Sequence, residues 1–257
     1  SAALYDLASG GGKVLDLNRP ATIGFSPKGT YAVAVWPEGN TAYASVHHAA
    51  NGQLVRIGGS DRIQDSQYLG FGPDDTTLFV ENTTARTSSL YALPSATRLY
   101  QRFGNPPSVG YSPDGSHVSV ITLDGSQVHV AVVRTADGTI AYQTSFTASA
   151  PPIISEPDEK TGELKLDPQE AGGLGFSPDG GSYLVGTSDG STARVTVVDL
   201  ASGDEVLVRT NISGRATWAF SPCGHMFTLV TQALPTSRPR VEVRSTADGS
   251  LLGETTT

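Results

Sequence analysis

One short phrase recurs five times along the chain, and it constrains the fold more than any other feature of the sequence. The phrase is an aromatic residue followed by Ser-Pro-Asp-Gly or a close variant, and it occupies residues 24–29, 70–75, 110–115, 175–180 and 219–224. The aromatic residues fall at positions 25, 71, 111, 176 and 220, so the steps are 46, 40, 65 and 44 residues. A recurrence of this kind predicts stacked supersecondary units. The long third step predicts an insertion of about 20 residues in one unit.

Each part of the phrase favours a strand, a tight turn and a second strand. Proline fixes φ at the first corner of the turn, and aspartate can bond the neighbouring backbone. Glycine accepts the positive φ that closes the turn. Alternating apolar runs follow the phrase, for example at 31–35 and 117–121. Such alternation is typical of a half-buried strand.

A second phrase supplies two more strands in each unit. The run 195–203, Val-Thr-Val-Val-Asp-Leu-Ala-Ser-Gly, has a close counterpart at 4–10. The run 130–138 has a similar counterpart at 241–249. Each run is β-rich, reaches a small-residue turn that ends in glycine, and precedes another strand. Four strands per unit are therefore predicted, in the order inner, second, third and outer.

These residues resemble WD-repeat and related bacterial β-propellers over nearly the whole chain. Those proteins carry a Phe-Ser-Pro-Asp-Gly turn and a third strand that ends in Trp-Asp-Leu. Here Tyr5-Asp6-Leu7 and Val198-Asp199-Leu200 stand at the Trp-Asp position. No Gly-His dipeptide precedes a blade and no blade keeps the tryptophan, so the buried His–Ser–Asp network of the strict family is not expected. The resemblance implies an all-β propeller of four-stranded antiparallel blades.

The unit boundaries predict five full blades and an N-terminal half-blade. The blades lie at about 21–59, 67–104, 108–147, 173–212 and 216–257, and two strands at about 3–7 and 13–17 would be the third and outer strands of a further blade. We expect one propeller domain over 1–257. A longer parent chain or a partner chain would complete the first blade, or the blades would close loosely around the pair. The acidic insertion at about 148–173 is predicted to be disordered, with a functional loop as the alternative.

Composition narrows the classes of partner. The formal net charge is −8, with only 17 dispersed lysine and arginine residues. Phosphate backbones are held by clustered cations, so binding to nucleic acid or to an anionic membrane is disfavoured. No apolar run is long enough to span a bilayer, and no signal-peptide pattern opens the sequence. The single Cys223 cannot form an internal disulfide. We expect a cytoplasmic chain, with a secreted one as the alternative.

Variable loops at one end of the blades are the predicted partner-binding surface. This end carries the turns between second and third strands and the connections between blades, and we call it the loop end. Loops on a rigid scaffold often carry function, and tryptophan and arginine are enriched among binding hot spots. Two interpretations of Trp36 stay open, a partner contact or packing against a neighbouring blade. The candidate partner-binding residues are Trp36, Glu38, Arg62, Arg86, Arg215 and Arg238.

The sequence predicts no catalytic, cofactor-binding or metal-binding residues. Cys223 occupies the aspartate position of a repeat turn and is interpreted as a tolerated substitution. His47 and His48 lack further ligands at metal-site spacing, and a solvated strand end is expected there. The main hypothesis is a non-catalytic scaffold for a protein partner. The alternatives are a lactonase-like propeller hydrolase and a sensor or accessory domain of a larger protease or kinase.

Overall fold

A computed structural model of the chain consists of β-strands joined by short turns. It describes residues 2–5, 12–15, 20–104, 108–147, 154–157, 164–166, 174–188, 192–213, 215–232 and 237–256. Among these residues there are 25 strands and no helix. Accordingly, the described part contains no helix that is long and apolar enough to cross a membrane.

The first complete sheet, blade A, has an outer edge made of two short strands. Its inner, second and third strands pair in sequence order, and both short strands lie along the third. The strands are β3 (Thr22–Phe25), β4 (Tyr31–Glu38), β5 (Thr41–His48), β6 (Leu54–Val55) and β7 (Ile63–Gln64).

The other four sheets are regular four-stranded antiparallel blades. Blade B comprises β8 (Ser66–Phe71), β9 (Thr77–Asn82), β10 (Thr87–Ala92) and β11 (Arg98–Phe103). Blade C comprises β12 (Ser108–Tyr111), β13 (His117–Asp124), β14 (Gln127–Arg134) and β15 (Ile140–Thr147). Blade D comprises β18 (Leu174–Phe176), β19 (Ser182–Ser188), β20 (Thr192–Asp199) and β21 (Glu205–Ser213). Blade E comprises β22 (Arg215–Phe220), β23 (Met226–Gln232), β24 (Arg240–Ser245) and β25 (Leu251–Thr256).

Two further strand pairs lie outside the blades. At the N-terminal end β1 (Ala2–Tyr5) pairs with β2 (Gly12–Leu15). These bounds are within two residues of the two strands predicted for the half-blade. In the insertion, β16 (Ile154–Pro157) pairs with β17 (Leu164–Leu166). The prediction that the insertion is disordered stays a prediction. The remaining residues of the insertion lie outside the described part.

This topology confirms the predicted fold class. The described residues form five antiparallel blades in the order inner, second, third and outer, with a two-stranded pair before them, as in a β-propeller. The alternating patterns favour this arrangement, because successive side chains of a strand point to opposite faces of its sheet. The phrase glycines close the turns with φ of +73° at Gly29 and +74° at Gly180.

The chain divides into two compact units. The first contains Ser1–Pro107 with Thr135–Thr139, and the second contains Ser108–Arg134 with Ile140–Thr257. In the first unit, one apolar core joins Tyr31, Val33 and Val46 of blade A to Leu78 and Val80 of blade B. In the second unit, one core lies between blades C and D and another between blades D and E.

The Ser-Pro-Asp-Gly turns of blades C and D have the same hydrogen-bond network. Ser112 Oγ donates to Asp114 Oδ1 at 2.6 Å, and Ser177 Oγ donates to Asp179 Oδ1 at the same distance. The aspartate also faces the next blade, because a Cβ placed on Gly180 would lie 2.5 Å from Asp114 Oδ1. Glycine is therefore required at this position by its neighbour as well as by its φ.

Blades A and B each depart from this arrangement at one position, and the two departures are complementary. Blade A has Lys28 where the turn aspartate would stand, and blade B has Asp75 where the glycine would stand. The buried Asp75 carboxylate reaches back to blade A, where it accepts hydrogen bonds from Ser26 Oγ at 2.5 Å, Lys28 N at 3.1 Å and Thr30 N at 3.0 Å. Asp75 thus supplies from the neighbouring blade the carboxylate that blade A lacks.

Candidate partner-binding site

Trp36 and Tyr43 form the centre of the candidate site, at the loop end of blade A. The two-residue turn at 39–40 pairs Glu38 with Thr41 and places Trp36 directly opposite Tyr43. The two rings stack, with centroids 6.1 Å apart and an interplanar angle of 17°. Trp36 is only 6% exposed. It therefore supports Tyr43 from beneath and offers a partner little surface of its own.

Arg62 covers the outer side of this aromatic pair. The break between β6 and β7 allows the chain to bulge, and Arg62 precedes β7 immediately. Its guanidinium carbon lies 4.5 Å from the centroid of the Tyr43 ring. Its Nη1 lies 3.3 Å from Glu38 Oε2, and both side chains are about half exposed. We call Trp36, Tyr43, Arg62 and Glu38 the aromatic–arginine stack.

The packing of the loop holds the stack in place more than the attraction between its side chains does. An exposed cation–π contact contributes about 0.5–1 kcal/mol, and an exposed ion pair contributes about 0–1 kcal/mol. The bulge itself is anchored by the buried Ile57 and Ile63 on its two sides. The packed loop thus fixes the backbone at Arg62 and places its guanidinium over Tyr43. A surface that is formed before binding lowers the ordering cost of association.

Arg86 lies in the β9–β10 turn, which is tied to the strand that follows Arg62. Thr84 Oγ1 donates to Asp65 Oδ2 at 2.6 Å, and Thr83 Oγ1 donates to the Asp65 carbonyl at 3.0 Å. Asn82 Nδ2 donates to the carbonyl of Gln64, whose backbone pairs with Tyr43. The exposed Arg86 has a φ of +50°. The loop ends of blades A and B are therefore one bonded surface.

The structure brings together four of the six predicted residues. Trp36, Glu38 and Arg62 lie in the stack, and Arg86 lies on the adjoining turn, all in the first unit. Arg238 is exposed and belongs to the second unit. Arg215 is the first residue of β22, and its side chain lies outside the described part.

Sequence reasoning missed Tyr43, although a signal was present. The Gly-Asn dipeptide at 39–40 is a two-residue hairpin signal, and residues equally spaced from such a turn face each other. Counting outward from it pairs Trp36 with Tyr43. The contribution of Arg62 could not be counted in this way, because it depends on the break in the outer strand.

His47 is buried, so the prediction of a solvated strand end is wrong there. Ser45 Oγ lies 2.9 Å from His47 Nε2, and the Gly52 carbonyl lies 3.2 Å from Nδ1. Burial lowers the pKa of His47 despite the opposing effect of the Gly52 carbonyl. A neutral ring that donates from Nδ1 and accepts at Nε2 satisfies both contacts. His48 is half-buried and tilts against Tyr31, with ring centroids 5.1 Å apart.

Glu81 and Cys223 are two further side chains with shifted pKa values. Burial raises the pKa of Glu81, and its Oε1 has no hydrogen-bond partner among the described residues. Cys223 takes the aspartate position of the blade E turn, with Sγ 3.4 Å from Ser221 Oγ. Hydrogen bonding from Ser221 lowers the pKa of this exposed thiol. Within the described ranges, no three His, Cys, Asp or Glu side chains are grouped so that they could hold a metal ion.

No protein-family model and no curated protein sequence matches the chain. Its structure is similar to hydrazine synthase from Kuenenia stuttgartiensis, at 19% identity and a TM-score of 0.42, over 89% of this chain and 64% of that one. It is similar to the WD40 domain of Toxoplasma gondii coronin, at 12% identity and 0.45, over 91% and 58%. It is also similar to TolB from Acinetobacter baumannii, at 16% identity and 0.38, over 99% and 59%. The chain thus spans less than two thirds of each of these three, and similarity at this level carries no argument about function.

Proposed function

We propose that the chain is a non-catalytic scaffold that binds a protein partner through the loop end of blades A and B. The observation that carries this proposal is the aromatic–arginine stack, in which Tyr43 and Arg62 form a preformed surface on a buried Trp36. Aromatic and arginine side chains in fixed positions are typical of binding hot spots. The bonded turn with Arg86 extends the same surface.

The chemistry of the site favours a polypeptide segment with a carboxylate next to an apolar or aromatic side chain. Arg62 and Arg86 supply guanidinium groups that can bind carboxylates with two parallel hydrogen bonds. The ring of Tyr43 supplies apolar area beside them. The net charge of −8 opposes a nucleic-acid partner, because such partners require a concentrated positive surface.

The proposal is tested by affinity capture from a native lysate with a charge-matched pair of variants. Arg62→Ala/Arg86→Ala removes two cations from the loop end. Lys28→Ala/Arg98→Ala removes two exposed cations from the opposite end of the same two blades. We expect a protein that the parent chain and the control both capture. The loop-end variant should capture it at least tenfold less, which corresponds to a loss of about 1.4 kcal/mol or more of binding free energy.

Equal thermal stability of both variants is the folding control, because exposed substitutions change stability by about 0.5 kcal/mol or less. A partner that both variants retain would place binding outside the proposed surface. A partner that both lose equally would assign binding to overall charge, and the proposed site would again be wrong.

A further inference from the structure

The inner strand of blade A has one exposed aromatic residue, Phe25, on the face that points away from blade B. On this face Phe25 is opposite Ala32, which is opposite His47. Ala32 and His47 are buried, whereas Phe25 is 60% exposed. In the neighbouring row Ala34 and Ser45 are also buried. Cover over this sheet face therefore extends across the second and third strands but only partly onto β3, where Ile23 is half-buried.

In blades B, D and E, the preceding blade belongs to the same compact unit, and the aromatic residue of the repeated phrase packs against that preceding blade. Phe71 of blade B stacks on Tyr31 of blade A, with centroids 5.9 Å apart and an interplanar angle of 7°. Phe176 of blade D joins the core shared with blade C, and Phe220 of blade E joins the core shared with blade D. An isolated exposed phenylalanine would need no explanation, but here the repeat assigns this position to packing.

Gly29 of blade A is uncovered in the same way. A Cβ placed on Gly180 or Gly224 would collide with the turn aspartate of the preceding blade, Asp114 or Asp179. Among the described residues, a Cβ placed on Gly29 would have no neighbour within 4 Å. Two separate positions of one phrase, the aromatic and the glycine, thus lack the same kind of contact.

We propose that this surface binds a β-hairpin of the repeat's own type, which we call the capping hairpin. Its chemistry follows from the interfaces inside each unit. Its second strand carries an apolar or aromatic side chain that stacks on Phe25, as Tyr31 stacks on Phe71. Its Ser-Pro-Asp-Gly turn places a carboxylate beside Gly29, as Asp114 lies beside Gly180. Phe25 lies at the turn end of the sheet face whose loop end carries the Trp36–Tyr43 pair, and the proposal does not depend on the proposed function.

The test uses a hairpin that this chain already contains. Residues 108–124, which form β12 and β13, are copied with the substitution His117→Tyr, because His117 stands six residues after the phrase aromatic, where blade A has Tyr31. The copy is fused before Ser1 through Gly/Ser linkers of about 8 and about 16 residues. Tethering makes docking intramolecular and offsets the instability of an isolated hairpin. We expect the fusion to raise the Tm by about 3–6 °C, as for about 1–2 kcal/mol in a chain of this size.

Phe25→Ala is the test variant and Phe103→Ala is its matched control, because Phe103 is 73% exposed at the end of β11. The increase in Tm should disappear with Phe25→Ala and persist with Phe103→Ala. No increase with either linker, or an increase that survives Phe25→Ala, would overturn the proposal. Light scattering of the unfused chain measures whether the chain associates with itself. Self-association that Phe25→Ala removes would assign the surface to a second copy, and the capping hairpin would be wrong.

Discussion

At the scale of residues, the exchange between Lys28 and Asp75 explains two departures from the repeat at once. Each substitution on its own breaks the phrase, since blade A loses a turn carboxylate and blade B loses a glycine. Together they restore the hydrogen bonds that Ser26 and the blade A backbone require. The space for the Asp75 side chain exists because no aspartate occupies position 28.

The two substitutions that restore the standard phrase should each be destabilising alone and should compensate for each other when combined. Asp75→Gly removes an acceptor of three hydrogen bonds and should cost about 1–3 kcal/mol. Lys28→Asp should also destabilise, because it places a second carboxylate beside Asp75. The double variant should be more stable than the sum of the two effects by at least about 1 kcal/mol. Urea unfolding of the four proteins at neutral pH measures this, and strict additivity would contradict the exchange.

Acid titration gives a second measurement of the same residue. Burial alone would raise the pKa of Asp75, but hydrogen bonds from Ser26, Lys28 and Thr30 outweigh it and lower the pKa. A carboxyl with a lowered folded-state pKa contributes stability above its unfolded pKa and loses it as the pH falls through the folded value. The stability difference between the parent chain and Asp75→Asn should therefore shrink below about pH 4. A constant difference would show that the charge contributes nothing.

At the scale of elements, contacts between neighbouring blades recur at the glycine that ends the third-to-outer turn of blades C, D and E. A Cβ placed on Gly138, Gly203 or Gly249 would collide with an outer-strand carbonyl of the preceding blade, at Leu99, Ala141 or Val206 respectively. These carbonyls occupy the same position in β11, β15 and β21. Glycine is thus needed there for close approach in addition to its positive φ.

Gly203 and Gly125 separate these two requirements. Both have positive φ, +81° and +61°. A Cβ on Gly203 would lie 2.9 Å from the Ala141 carbonyl oxygen, whereas one on Gly125 would have no neighbour within 4 Å in the part of the chain that the structure describes. Gly125→Ala should cost about 1–2 kcal/mol from backbone conformation alone. Gly203→Ala should cost about 1–3 kcal/mol more, because the blades must move apart. Denaturant unfolding compares the two, and equal costs would rule out the close approach.

The elements were largely predictable, whereas the site was only partly so. Strand order and blade boundaries follow from turn chemistry and alternation, which act locally. The broken outer edge of blade A has no such signal, because β6 and β7 are each too short to show a period. Trp36 and Arg62 could be selected by residue type, but their connection through Tyr43 depends on that break. The partners of Asp75 were also hidden, since they lie in a different blade.

At the scale of the whole molecule, five blades share one pattern and differ mainly in their loops and substituted turns. The proposed scaffold function uses this arrangement directly, because rigid sheets can hold variable loops without any catalytic group. The fold alone does not determine function. The assignment to a protein partner therefore depends on the stack and on the charge of the chain.

Metal content tests the non-catalytic part of the proposal. We expect the purified chain to carry less than about 0.1 divalent ion per molecule, and EDTA to shift its Tm by less than about 1 °C, since an ion that binds the folded state would stabilise it measurably. Elemental analysis and thermal unfolding provide the two measurements. Calcium or zinc at one per chain would contradict the scaffold proposal and favour a metal-dependent activity.

The exchange at Lys28 and Asp75 also limits how the chain could be rearranged. Behind a blade with its own turn aspartate, such as blade C or D, blade B would set Asp75 against a second carboxylate. Blade A, moved in front of a blade with the usual glycine, would leave Ser26 without an acceptor. Circular permutation, duplication or grafting of single blades must therefore transfer A and B together. Blades A and B therefore form one unit that must stay together in any rearrangement, although every blade carries the same repeat.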